Sequence, residues 1–167
     1  MPEIRITDAD WQSRRFFDAR WHERQRFPAG EEVIAHFDAP KLTAFAMARQ
    51  AARIYAGLVL PNGEWLSVVP CVKWPKAKTE HFPGHVIGSQ TADGKQGWRI
   101  DVNDDADRPE PFHVNWWDAR GETGRGHRGK DRAARRYGKN YVTGGDKDLF
   151  WQVLAHFPGQ IVKPTRG

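Results

Sequence analysis

The sequence predicts an α+β fold in which N-terminal helices pack on a small antiparallel β-meander and a C-terminal helix closes the structure. Three observations predict it. Apolar residues in the first third recur at helical spacing, the middle third changes to period two with tight turns, and the last apolar segment, DLFWQVLAHF, is again amphipathic. A chain of 167 residues suits one domain with a real core. Residues 1–80 read as a helical region with a first strand. Residues 81–167 hold the meander, a basic segment and the last helix, and the two parts are expected to form one compact domain.

Taken in order, Asp8 or Asp10 can cap a helix through WQSRRFFDARWHERQRF, where Trp11, Phe16, Trp21 and Phe27 lie at roughly helical spacing before Pro28-Ala29-Gly30 ends it. EEVIAHFDA fits a short strand or a helical turn. Lys41 to Leu58 is the clearest helix, rich in Ala and begun after Pro40, with Leu42, Phe45, Ala46, Ala52 and Tyr55 on one face. Pro61-Asn62-Gly63 is a turn, EWLSVVPCVKW a strand broken by Pro70, and WPKAKTEHFPG a loop. HVIGSQ, a turn at Ala92-Asp93-Gly94-Lys95, QGWRIDV, an acidic loop and FHVNWWD complete a three-stranded meander. A small basic helix (Lys130–Tyr137), a glycine-rich connector NYVTGG and a helix in DKDLFWQVLAHF capped by Asp146 follow.

A hydrophobic content of 39% with 28% charge is ordinary for a soluble fold, while eight Trp and nine Phe exceed what core filling needs, so some aromatics can line a groove. The pI near 9.6 points to an acidic partner or, equally, to a solvated basic surface. No stretch approaches the ~20 apolar residues of a membrane span, and MPEIRITDADWQ lacks the regions of a signal peptide. The lone Cys71 excludes an internal disulfide and lies in an apolar run that favours a buried thiol. The chain is expected to fold in a reducing compartment, or to arrive elsewhere by a route carried on another polypeptide.

The positive charge is concentrated. Ala119 to Asn140 holds eight Lys/Arg (Arg120, Arg125, Arg128, Lys130, Arg132, Arg135, Arg136, Lys139) against two acids, a surplus of 6 in 22 residues, while the whole chain carries only +5. Directly before it, FHVNWWD places His113, Asn115 and Trp117 on one strand face and Phe112, Val114 and Trp116 on the other. On the preceding strand Trp98, Ile100 and Val102 oppose Gly97, Arg99 and Asp101. If the apolar sets pack on the helices, then Arg99, Asp101, His113 and Asn115 share an open face. Histidine moves protons near neutral pH, arginine neutralises charge building on a phosphate, and a basic segment holds a polyanion by its backbone. Strand-borne His and Arg also serve as structural hydrogen-bonders, and that reading stays open.

Other constellations fail on inspection. DVNDDADRPEPF begins like a calcium loop but has Ala106 where glycine and Phe112 where glutamate belong. His81 and His85 are separated by Pro83-Gly84, which prevents the helix such a pair needs. Gly121, Gly124, Gly126 and Gly129 lack a Walker lysine-serine pair. No metal and no cofactor is expected.

The stretch GSQTADGKQGWRIDVNDDADRPEPFHVNWWDARGETGRGHRG, about a quarter of the chain, resembles the C-terminal toxin domains of bacterial polymorphic toxins of the Rhs and contact-dependent-inhibition classes. The matching positions are Gly97, Arg99 and Asp101, then His113, Val114, Asn115, Trp116, Trp117 and Asp118, then His127 within a Gly/Lys-rich stretch. The insert Asp104–Glu110 and the basic run after His127 depart from that pattern. Several such toxins look like ribonucleases of the barnase/EndoU/colicin/RelE type. The resemblance implies a metal-independent endoribonuclease acting on RNA such as tRNA, with an acidic immunity protein as partner. In that reading His113 and His127 carry protons, Arg99 with Arg128 or Lys130 stabilises the phosphate, and Asn115 orients the site. Asp101, Trp117, Asp118, Arg132, Arg135, Arg136 and Lys139 would complete substrate binding. Three other classes compete: a non-catalytic nucleic-acid binder or phage-type inhibitor, a toxin of another chemistry such as ADP-ribosylation, and a protein–protein module.

Overall fold

A computed structural model describes residues 3–13, 30–60, 62–73, 85–102, 112–120 and 136–154 of the chain. Ile4 and Ile6, β-branched at period two, open it as strand β1, Glu3–Thr7. Asp10 then turns the backbone into helix α1, Asp8–Gln12. Its carboxylate accepts from the Thr7 N–H at 2.9 Å and from the Thr7 hydroxyl at 3.3 Å. EEVIAHFDA proves to be a strand, β2, Glu32–Asp38, because Val33, Ala35 and Phe37 alternate inward and are fully buried.

Helix α2, Lys41–Tyr55, starts after Pro40 and buries Ala44, Phe45, Met47, Ala48, Ala51, Ala52 and Tyr55. Leu42, expected on that face, is 57% exposed. Small alanines line the side that lies against the sheet, so the true stripe is rotated from the one its larger apolar residues suggest. The helix ends in a Schellman motif: Leu58 N–H donates to the Arg53 carbonyl and Gly57 N–H to the Ile54 carbonyl, both at 3.0 Å. Gly57 has φ +74°, which a side chain would resist.

Strands β3 (Val69–Lys73), β4 (His85–Gln90), β5 (Gln96–Val102) and β6 (Phe112–Asp118) pair antiparallel in sequence order. Pro70 is tolerated because β3 is the outermost strand, and the register shifts between Cys71 and Val72. Strand β7, Arg136–Val142, then lies antiparallel to β6 and parallel to β2, and helix α3, Lys147–Leu154, follows. Asp146 caps α3, its Oδ1 accepting from Leu149 N–H at 2.9 Å.

The resulting order is β1-β2-β7-β6-β5-β4-β3, a seven-stranded mixed sheet. This corrects the expected small antiparallel meander under N-terminal helices. Three segments account for the difference. EIRIT, five residues long, carries too little alternation to stand out. EVIAHFD is ambiguous in isolation. RYGKNYV, expected to divide between a basic helix and a glycine-rich connector, is a central strand. Gly138 is there for contact: a Cβ on it would come within 2.5 Å of the Val33 carbonyl oxygen and 2.7 Å of Trp116 Nε1. The predicted helix through WQSRRFFDARWHERQRF is described only as far as α1, and its remainder lies outside the described residues.

Helix α2 lies across β6 and β7 and reaches β2 and β5, while α3 packs on β4, β5 and β6. Phe112 joins the layers, stacked on Phe45 and edge-on to Phe150, each at 5.6 Å between ring centroids. Asn140 is fully buried in this interface, and its Nδ2 donates to the Ala48 carbonyl at 3.0 Å, tying β7 to α2.

Candidate functional site

Period-two alternation leaves a second sheet face, turned away from α2, and its polar side chains fall into rows across the strands. In one row Asp101 on β5 pairs with His113 on β6, His113 with Tyr141 on β7, and Tyr141 with His36 on β2. In the next, Arg99 pairs with Asn115 and Asn115 with Lys139. Neighbouring strands lie about 4.8 Å apart and residues two apart along a strand about 6.8 Å apart, so the two rows form one patch.

Within the first row, aromatic rings are in contact. His36 stacks on Tyr141 at 5.6 Å with 19° between planes, and His113 is tilted by 48° against the same ring at 5.4 Å. Each imidazole has a carboxylate. His36 Nε2 is within hydrogen-bond distance of Glu3 Oε1 at 2.7 Å, and His113 Nε2 is 3.9 Å from Asp101 Oδ2. Asp101 also accepts from the Val102 N–H through Oδ1 at 2.9 Å. In the second row Lys139 Nζ lies 4.0 Å from Glu32 Oε2, and Arg99 and Asn115 are half-buried.

His113 is the point of departure from expectation. It is 1% exposed, not open to solvent. As the last strand of a meander, β6 would have had a free flank. As the central strand of seven it is flanked by β7 and β5, and its imidazole lies between Tyr141 and Asp101. His36, at 19%, and Asp101, at 25%, are more accessible than His113.

Two other expected substrate contacts have structural occupations. Trp117 is buried, its indole N–H donating to the Gly94 carbonyl at 2.9 Å and its ring covering Gly97, where a Cβ would meet it at 2.5 Å. It pins the β4–β5 turn and offers no free ring face for a base. Asp118 is buried and accepts from Arg120 three times, from the backbone N–H at 3.1 Å, Nε at 2.9 Å and Nη2 at 2.7 Å. Those bonds hold the Arg120 guanidinium above its ordinary pKa. Arg136 is exposed on β7 opposite Asp118. His127, Arg128, Lys130, Arg132 and Arg135 lie outside the described residues.

His36 and Tyr141 are the members that sequence reasoning missed. Their signals were the same period-two alternation that exposed His113: Val33, Ala35 and Phe37 against Ile34 and His36, and Gly138, Asn140 and Val142 against Tyr137, Lys139 and Tyr141. Burial raises the Cys71 thiol pKa, partly offset by the nearby Arg99. Among the described residues no three His, Cys, Asp or Glu side chains converge to hold a metal ion, and no helix is long and apolar enough to cross a membrane. No family model and no curated protein matches the chain.

Proposed function

We propose that the polar sheet face binds RNA and cleaves its phosphodiester bonds by proton transfer between side chains, as a bacterial toxin of the delivery class that HVNWWD resembles. One observation carries this reading: Arg99, Asn115 and Lys139, side chains able to donate to a phosphate, form a row directly beside the row of His36, Tyr141 and His113. Arg99 and Lys139 would hold the phosphate from either side of Asn115 and neutralise the charge of a pentacoordinate intermediate. His36, the more accessible imidazole, would take the 2′-hydroxyl proton, with Glu3 holding its ring. Tyr141 would carry a proton at the second step, and the buried His113 would position Tyr141 rather than touch substrate. The product would be a 2′,3′-cyclic phosphate. An acidic immunity protein would cover the face by charge complementarity.

The burial of His113 favours a second reading, in which the same face holds RNA without cutting it. Incubating the chain with RNA in EDTA separates the two. Cleavage is expected to persist, to leave cyclic phosphate ends, and to fall about 10²-fold or more in His36→Ala. Salt-dependent binding with intact RNA would establish the second reading instead. Wild-type cleavage by both His36→Ala and Tyr141→Phe would remove the assigned chemistry.

A further inference from the structure

On the opposite side of the sheet, a cavity of about 320 Å³ opens between the C-terminal half of α2 and strands β3 to β5. Its polar wall is two arginines one helical turn apart, Arg49 and Arg53, and its apolar wall is Val68, Val69, Val86 and Trp98. Arg53 lies over two indoles, its guanidinium carbon 5.3 Å from the Trp65 ring and 5.4 Å from the Trp98 ring. Arg49 lies 5.3 Å over Phe45, and its Nε is buried without a hydrogen-bond partner. Neither arginine has a carboxylate partner among the described residues.

A protein does not gain stability from this arrangement. Two half-buried guanidinium groups a helical turn apart repel, and a buried charge is costly unless paired and hydrogen-bonded. The strain is visible in both groups. Burial and then the neighbouring Arg49 bring the Arg53 pKa down to about 10, and burial lowers that of Arg49. Contact with the two indole rings holds the Arg53 fork in place, so a ligand would meet a preorganised donor. The rim is apolar where a surface is normally polar: Trp65, Val68 and Val69 are each at least 40% exposed.

We infer that this groove binds a small organic anion, a carboxylate or phosphate head held by Arg49 and Arg53 with an apolar body lying along Val68, Val69 and Val86. The anion supplies the missing countercharge, two oxygens of a carboxylate or phosphate match the guanidinium fork, and the apolar rim loses water on binding. Ser89 in the wall adds a hydroxyl that can donate to the head group. The volume is at the lower end for small-molecule sites, which sets the scale at one ring or a short chain.

Trp65 and Trp98 report occupancy directly. In the full chain, phenyl phosphate and phenylacetate are expected to quench tryptophan fluorescence saturably, the better of the two identifying the head group. Inorganic phosphate, which lacks the body, and benzyl alcohol, which lacks the charge, should bind about tenfold more weakly or less. Arg53→Met and Arg49→Met should each weaken the better probe about tenfold or more without lowering Tm, since each removes an uncompensated charge. Absence of saturable quenching by either aromatic anion, or binding unchanged in both variants, would overturn the assignment. So would a fall in Tm for both, which would make the arginines structural.

Discussion

On the face away from α2, each of three carboxylates sits beside a basic side chain: Glu3 with His36 at 2.7 Å, Asp101 with His113 at 3.9 Å and Glu32 with Lys139 at 4.0 Å. On the α2 side, Arg49 and Arg53 share a cavity with each other and with apolar side chains. The first arrangement fixes proton-bearing groups in register and costs little, because each member of these three pairs meets a partner. The second keeps a net charge under partial burial, which is tolerable only at the expense of stability or in expectation of a ligand. One sheet thus separates a compensated polar surface from an uncompensated one, and the two should respond differently to the same kind of substitution.

The largest effect is expected from breaching the layer between them. Phe112→Ala removes the ring that stacks on Phe45 and meets Phe150, and should cost about 3–5 kcal/mol in urea unfolding. Next comes the buried carboxylate of Asp118. Asp118→Ala should cost about 1–3 kcal/mol, because three hydrogen bonds from Arg120 lose their acceptor, whereas the uncompensated side should show no such loss in Arg53→Met.

The contrast has a pH signature. Burial depresses the Arg53 pKa to about 10 in the folded chain, so above that pH the unfolded chain binds more protons at this site and stability from it rises with pH. The advantage of Arg53→Met over wild type should therefore be full below about pH 10 and shrink as pH climbs toward the ordinary guanidinium value. Urea midpoints of the two proteins at about pH 9 and about pH 11 measure it. The smallest effect belongs to the solvent-facing pair Arg5–Asp38, 3.6 Å apart with both side chains more than half exposed. Asp38→Ala should change stability by about 1 kcal/mol or less, and less still at high salt.

The pairing of Arg99 with Asn115 and Asp101 with His113 was legible because β5 and β6 are neighbours in sequence and alternate cleanly. So was the cap at Asp146, whose side chain acts three residues away. The partners of His113 on its other flank were not. Tyr141 and His36 come from strands about 30 and 77 positions away, the first in a segment whose glycine, lysine and asparagine weaken the local strand signal and the second in EVIAHFD, which fits a helical turn as well as a strand. Arg49 and Arg53 were equally hidden, as two ordinary cations on a helix whose clearest feature was its alanines.

Local order, then, was settled by the chain itself: where α2 and α3 begin, which residues alternate on β5 and β6, and where the β4–β5 turn falls all follow from contacts within a few positions. The tertiary structure alone decided that β7 inserts between β6 and β2, and with it that His113 is buried, that two imidazoles flank one tyrosine, and that two arginines face a cavity with no countercharge among the described residues. Burial and charge compensation depend on what arrives from distant parts of the chain, and no local pattern of residues records that arrival.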